Sequence, residues 1–253
     1  MPTPLSDILA EADRLLDPQR FDDYCVNGLQ VPGPELVSTV ATGVSAHAQL
    51  FELAAHERAE LLLVHHGLFW RPGVMTIDAI LKRRLQILFD AGIALVGYHL
   101  PLDAHPLLGN NALLAHALGA GELAPFALHH GQPIGFVASF PDGLPAQELF
   151  ARVRTITARE PLVFDAGPPH VRRLAIVSGG GADYTSDAAA AGADALLTGE
   201  LAERSMALAR EARVHLIAAG PHATETFGVK RLGEHLAERF DLRHIFLDVP
   251  NPV

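Results

Sequence analysis

The sequence has little cysteine, no long apolar run and no pattern typical of export. Cys25 is the only cysteine in 253 residues, which excludes an intrachain disulfide and makes thiolate metal sites unexpected. No apolar run approaches the roughly 18 residues needed to span a bilayer. The first residues, MPTPLSD, lack the basic stretch and apolar stretch of a signal peptide. The sequence therefore predicts a cytoplasmic protein without membrane segments.

Positive charge is also scarce, which argues against general nucleic-acid binding. Lys and Arg total 19 against 29 Asp and Glu, giving a formal net charge of -10, whereas binding to a phosphate backbone relies on clustered Lys and Arg. Apolar residues are plentiful at 49%, enough for a substantial core. Histidine is plentiful too, with 14 residues, and its imidazole binds metals and transfers protons near neutral pH.

Apolar runs alternate with amphipathic patterns along the whole chain. This alternation predicts an α/β fold of two similar lobes, residues 1–128 and 129–253, with mostly parallel sheets flanked by helices. The predicted helices span residues 5–16, 46–57, 77–91, 110–118, 145–157, 183–191, 201–211 and 226–240. The predicted strands span residues 37–44, 61–66, 94–99, 134–140, 174–178, 195–198, 215–219 and 244–249. Residues 121–131 read as a connector, and the pattern leaves open whether the chain crosses back between the lobes.

Side chains that can bind metals follow three of the predicted strands. They are His65 and His66 at the end of the first, His99, Asp103 and His105 after the second, and His222 and Glu225 after the third. The carboxyl ends of parallel strands share one edge of a sheet, where ligands of α/β proteins bind. Imidazole and carboxylate ligands suit Zn, Fe, Mn, Co or Ni. One such loop is more typical of polar strand caps, but three together favour a metal site.

For three other segments, both a structural and a functional interpretation fit the sequence. Residues 178–181, SGGG, are typical of a tight strand-to-helix turn, although such a turn can also face a phosphate. Phe69 and Trp70 favour a pocket wall or an interface over a stacking platform. His105 is either a partner of the metal site or a hydrogen bonder within its loop.

Several segments together resemble the NIF-three-like dinuclear-metal proteins, often labelled GTP cyclohydrolase 1 type 2, in their short bacterial form. They are residues 23–31 (DYCVNGLQV), 64–70 (VHHGLFW), 99–106 (HLPLDAHP), 109–111 (GNN), 178–181 (SGGG), 198–200 (TGE), 222–225 (HATE) and 248–252 (DVPNP). The segments occur in order and run nearly from end to end, which makes the resemblance specific.

The resemblance implies a toroidal homohexamer whose protomers hold two divalent metal ions in a cleft between two α/β lobes. The ions would be Fe, Mn, Zn, Co or Ni. The resemblance also implies metal ligands at His65, His66, Asp103 and Glu225, with one of the two histidines for each ion. His99 would lie near or on the second ion.

One position departs from the family pattern, Gly-His-x-x-x-Glu, in which the ligand histidine directly follows the glycine. Pro221 occupies that position, and a proline side chain cannot bind a metal. His222, the next residue, either replaces the missing ligand or points elsewhere. In the second case the site holds metal more weakly or holds a single ion.

Two classes of function fit these residues. The first is a metal-dependent hydrolase of a small molecule, with His99 or His105 as general acid or base. The family label would make the substrate the nucleotide GTP, opened at its imidazole ring, and a phosphoester is the other option. The second class is a non-enzymatic metal-binding, metal-delivery or scaffold assembly. The loss of a ligand at Pro221 favours metal delivery, because weak metal retention harms catalysis more than transfer.

Overall fold

The computed structural model describes residues 2–73 and 76–253. The chain forms two compact units, residues 1–102 with 228–250, and residues 103–227 with 251–253. Both units contain a β-sheet with helices packed on it, which confirms the predicted α/β fold. Within the described residues, no helix is both long enough and apolar enough to cross a membrane.

The strands and helices alternate through most of the chain. The strands are β1 (Thr3–Pro4), β2 (Gly28–Val31), β3 (Leu36–Val37), β4 (Thr39–Ser45), β5 (Leu61–His66), β6 (Ala94–Gly97), β7 (Gly121–His129), β8 (Gln132–Pro145), β9 (Leu162–Phe164), β10 (His170–Val177), β11 (Ala195–Thr198), β12 (His215–Ala218) and β13 (Arg243–Phe246). The helices are α1 (Leu5–Leu16), α2 (Ala48–His56), α3 (Ala79–Ala91), α4 (Leu100–Ala104), α5 (Asn110–Ala117), α6 (Ala146–Thr157), α7 (Thr185–Ala190), α8 (Ser205–Ala212), α9 (Pro221–Thr224) and α10 (Thr226–Phe240).

The sheet of the first unit has the strand order β13-β4-β5-β6-β2. Strands β13, β4, β5 and β6 are parallel, and β2 pairs antiparallel with β6. The central strand β5 begins with the apolar run from Leu61 to Val64, whose residues are each at most 1% exposed. Helices cover both faces of such a sheet, so its strands need unbroken apolar runs rather than alternation. His65 and His66 directly follow this run and are the last two residues of β5.

The sheet of the second unit has the strand order β7-β8-β10-β11-β12-β9 and is mixed. Strands β10, β11 and β12 are parallel to one another, whereas β8 pairs antiparallel with both β7 and β10, and β9 pairs antiparallel with β12. Leu174, Leu197 and Ile217 from this sheet pack with Leu149 and Val153 from α6 in one buried core. The first sheet is therefore mostly parallel, as expected, and the second is mixed.

The predicted connector is a strand in the structure. Residues 121–129 form β7, which pairs antiparallel with β8 from Gly121 to His129. Because β7 is an edge strand, several of its side chains are exposed, and Pro125 interrupts its pattern. This hairpin lies in the second unit. The first unit ends at residue 102 and resumes at residue 228, and its strand β13 pairs with β4.

Candidate metal centre

His65 and His66 end strand β5 and differ in burial. His65 is fully buried, and its Nδ1 lies 3.0 Å from the main-chain oxygen of Tyr98. A carbonyl oxygen only accepts hydrogen bonds, so Nδ1 carries the proton and the neutral ring has its lone pair on Nε2. His66 is half-buried, and its Nδ1 lies 3.0 Å from Oγ of Ser45 on the neighbouring strand β4. These contacts fix the orientation of both rings.

His99 follows strand β6 and is held by a buried carboxylate. Its Nδ1 donates to Oδ1 of Asp23 at 2.9 Å, and Asp23 also accepts from the main-chain N–H groups of Cys25 and Leu100 and from the amide of Asn27. Burial raises the pKa of Asp23, but hydrogen bonds from His99, Asn27 and the main-chain N–H of Cys25 act in the opposite direction, and the pKa lies below its ordinary value. An ionised carboxylate on Nδ1 leaves the lone pair of His99 on Nε2, as in many metal sites.

The three rings come together as one group. The candidate ligand atoms of His65, His66 and His99 all lie within 4.8 Å of one another, and no other set of three or more His, Cys, Asp or Glu in the described parts of the chain does so. The ring centroids of His65 lie 4.7 Å from His66 and 4.9 Å from His99. Imidazole nitrogens suit divalent transition metals such as Zn, Fe, Co and Ni. We call these residues the three-histidine group; its donors fit a metal ion.

The turn after His66 explains the glycine of the His-His-Gly motif. Gln30 accepts from the main-chain N–H of Leu68 at 2.7 Å and donates to the main-chain oxygen of Val26 at 2.5 Å. A Cβ atom at Gly67 would overlap the Gln30 side chain. The close approach of Gln30 therefore favours glycine, and Gln30 in turn fixes the chain as it leaves the three-histidine group.

Two aromatic residues line the three-histidine group. The Trp70 ring lies 5.8 Å from that of His66 and 5.2 Å from that of His99, and the Tyr24 ring lies 5.1 Å from that of His99. Trp70 thus packs beside two of the three histidines, and its role as a pocket wall stays a prediction. No sequence pattern predicted that Tyr24 would lie beside it.

Asp103 belongs to the second unit and is held by two of the family-like segments. Its Oδ1 accepts from the amide of Asn110 at 2.8 Å and from the hydroxyl of Ser178 at 2.9 Å. Asn111 donates to the main-chain oxygen of Ile134 at 2.7 Å and accepts from the main-chain N–H of Ser178. Segments GNN and SGGG thus position a buried carboxylate, and its role as a metal ligand stays a prediction.

Glu225 is the second buried carboxylate of this unit, at 3% exposure. It directly follows α9, which begins at Pro221, and its main-chain N–H donates to the oxygen of His222 at 3.2 Å. The φ of Gly179 is +61°, a left-handed conformation that favours glycine, and a Cβ atom there would also overlap Oε1 of Glu225. The tight-turn interpretation of SGGG agrees with this geometry. Metal binding by Glu225 and by His222 stays a prediction.

His105 has a role inside its own loop. Its Nδ1 accepts from the main-chain N–H groups of Leu107 at 3.1 Å and Leu108 at 3.0 Å. This is the hydrogen bonding within the loop that the sequence offered as the simpler interpretation. With Nδ1 as acceptor, the proton of the neutral ring lies on Nε2.

Comparison with known proteins decides the family. The model of the family described as DUF34/NIF3 (NGG1p interacting factor 3) matches residues 3–252. The chain belongs to the DUF34/NIF3 family. Two relatives are named GTP cyclohydrolase 1 type 2 homolog. The one from Pseudomonas aeruginosa is 43% identical over 248 residues, 98% of each chain. The one from Escherichia coli K12 is 42% identical over 241 residues, 94% of each chain.

Solved structures agree with this assignment. The structure of protein ybgI, described as of unknown function, superposes with a TM-score of 0.93 at 38% identity and covers 99% of this chain and 100% of its own. TTHA1606 from Thermus thermophilus gives a TM-score of 0.92 at 37% identity with the same coverage. The predicted resemblance of this DUF34/NIF3 protein to the short bacterial form is confirmed.

Sequence reasoning missed Asp23 as a site residue of this DUF34/NIF3 protein. Asp23 lies 76 positions before His99 in the chain, so no local spacing connects the two. Its one signal was membership of the family-like segment 23–31. Strand β2 pairs with β6, with Gly28 opposite Gly97, and this pairing brings segment 23–31 beside His99.

Proposed function

We propose that this protein is a metal-dependent hydrolase of a small molecule, and that its three-histidine group holds a divalent ion. The observation that supports this most is the convergence of His65, His66 and His99, whose ligand atoms lie within 4.8 Å of one another. His65 and His99 each donate a hydrogen bond from Nδ1, so Nε2 of each ring is the nitrogen that binds the metal in this proposal. When bound, a divalent ion polarises substrate oxygen atoms and makes water a stronger nucleophile.

Each side chain has a distinct part in this proposal. His65, His66 and His99 bind the ion, and Asp23 positions the ring of His99. Asp103 and Glu225 are further ligands, on which a second ion depends, and His222 is the substitute for the ligand missing at Pro221. This assignment also separates the two acid-base candidates. A His99 ring that donates from Nδ1 and binds metal through Nε2 has no nitrogen left for proton transfer.

His105 is therefore the general acid in this proposal. Its Nδ1 accepts from two main-chain N–H groups, which places the proton of the neutral ring on Nε2. The substrate candidates are GTP, after the name of the relatives, and phosphoesters. The assembly that we propose is the homohexamer implied by the family.

Metal content and turnover together test the function. We expect the purified wild-type protein to take up Zn, Mn or Fe and to hydrolyse GTP or a member of a phosphoester panel. His65→Ala should lose both properties. His56→Ala is the matched control, because the His56 side chain is 84% exposed on α2 and outside the three-histidine group. A wild-type protein that takes up none of these metals contradicts the proposal.

A metal-delivery role is the second candidate, and the proline at position 221 favours it. A protein that loads metal but turns over no substrate, and that passes its ion to a chelator faster than Pro221→His does, would support delivery over hydrolysis. Slow release together with His65-dependent turnover would support the hydrolase.

A further inference from the structure

Two aromatic rings stand at the margin of the three-histidine group. The rings of Tyr24 and Trp70 stack with their centroids 5.7 Å apart and their planes at 28°. Both meet His99 edge-on, at angles of 64° and 71°. Tyr24 is 46% exposed. We call these two residues the aromatic pair.

The main chain holds the aromatic pair in place. The N–H of Arg71 donates to the oxygen of Tyr24 at 2.6 Å, and Cys25 and Trp70 form an antiparallel bridge. The indole N–H of Trp70 donates to the oxygen of Gly67 at 2.9 Å. Because these contacts set the ring positions in advance, a ligand that stacks on them has little side-chain freedom to remove.

Packing against His99 accounts for only part of this arrangement. Trp70 contacts the rings of both His66 and His99 and has a clear structural role. Tyr24 contacts His99 by one edge and leaves nearly half of its surface exposed. A large, rigidly placed and exposed ring beside a candidate metal centre is suited to contact with a ligand.

We infer that the aromatic pair binds a planar aromatic ring of the substrate beside the three-histidine group. Stacking on an aromatic face requires a π surface on the ligand and tolerates different ring identities. The inference rests on the proposed function and narrows its substrate class to compounds that carry such a ring. Saturated sugar phosphates and simple phosphoesters fall outside that class.

Trp70 provides a direct readout because it is the only tryptophan in the chain. The protein is titrated, with and without Zn²⁺, with a nucleoside 5′-monophosphate and with ribose 5-phosphate. The second compound keeps the sugar and the phosphate but lacks the aromatic base. We expect a saturable change in Trp70 fluorescence with the nucleotide and none with the sugar phosphate. Equal responses to the two compounds, or no response to either, overturn the inference.

Variants of Tyr24 locate the binding surface. Tyr24→Ala should weaken nucleotide binding about tenfold or more, whereas Tyr24→Phe should retain binding because it keeps the ring. If Tyr24→Ala binds the nucleotide as wild type does and loses only metal affinity, the pair merely orients His99 and the inference is wrong. The wild-type comparison of the two ligands stands even if a variant fails to fold.

Metal uptake by the same samples separates this inference from the proposed function. A ring-specific response in a protein that takes up no metal would contradict the hydrolase and leave the aromatic surface standing. Metal uptake and turnover without any ring-specific response would support the hydrolase and contradict the inference about the aromatic pair.

Discussion

The carboxylate of Asp23 and the imidazole of His99 form a buried hydrogen bond, with 2.9 Å between Oδ1 and Nδ1 and side-chain exposures of 2% and 7%. In the proposed metal site, this contact leaves Nε2 of His99 as the nitrogen that binds the metal. It also connects the segment before β2 to the end of β6, two parts of the chain that are distant in sequence. The candidate metal centre thus depends on a contact between strands as well as on its three histidines.

Asp23→Asn should weaken metal binding without removing a ligand. The amide is uncharged and a poorer acceptor, so His99 becomes less basic and less well oriented, and a lost partner of this kind typically costs about 10–100-fold in metal affinity. Competition with a chelator for Zn²⁺ measures the change. Asp22→Asn is the matched control, because Asp22 is exposed and adjacent. An unchanged affinity in folded Asp23→Asn would show that this carboxylate does not support the metal.

Gly67→Ala should destabilise the protein through a clash at one position. The added methyl group would overlap Gln30, whose side chain holds two main-chain groups of neighbouring loops. Overpacking of this kind typically costs about 1–3 kcal/mol in the free energy of unfolding. Denaturant unfolding measures it. Gly73→Ala is the control, because a Cβ atom there meets nothing within 4 Å. Equal stabilities of the two variants would contradict the proposed role of Gln30.

The parts of the fold that sequence predicted well are buried parallel strands and amphipathic helices. The bounds of β5, β11, α1 and α10 agree with the prediction residue for residue. Short edge strands such as β2 and β9 were missed, because a strand with one neighbour and partial exposure has little apolar pattern. The sequence left open whether the chain crosses back between the lobes, because this depends on pairing between strands far apart in sequence, such as β13 with β4.

For the candidate site, too, the sequence predicted the residues at the ends of buried strands and missed those on the segment before β2. His65 and His66 end strand β5, and His99 comes just after β6. The two strands pair in parallel from Leu61 to Val64, so the proximity of the three histidines follows from the strand order. The contact of Asp23 with His99 depends on the antiparallel pairing of β2, which has no pattern of its own. The aromatic pair depends on the same segment, because Tyr24 and Trp70 are brought together by the bridge from Cys25 to Trp70.

Pro221→His tests the departure from the family pattern. If the missing ligand limits metal binding, the variant should hold more metal per protomer than wild type, as measured by elemental analysis of the purified protein. His222→Ala distinguishes the two interpretations of its neighbour. If His222 is the substitute ligand, this change should lower metal content in the wild-type background and have little effect in Pro221→His. An unchanged metal content in Pro221→His would mean that this ligand was never limiting.

The buried thiol of Cys25 should make the stability of the folded protein decrease at alkaline pH. Burial, the largest cause, raises the pKa of its thiol from 9.0 to about 11, and the charge of Asp23 adds to this, although hydrogen bonds from Gly67 and Gln30 act in the opposite direction. A raised pKa means that the folded state keeps the proton that the unfolded state loses. The contribution to stability is therefore complete below about pH 9 and disappears as the pH rises towards about 11. Unfolding midpoints of wild type and Cys25→Ala, measured across this range, should converge as the pH increases. A difference between the two proteins that stays constant with pH would show that the Cys25 thiol does not titrate differently in the folded state.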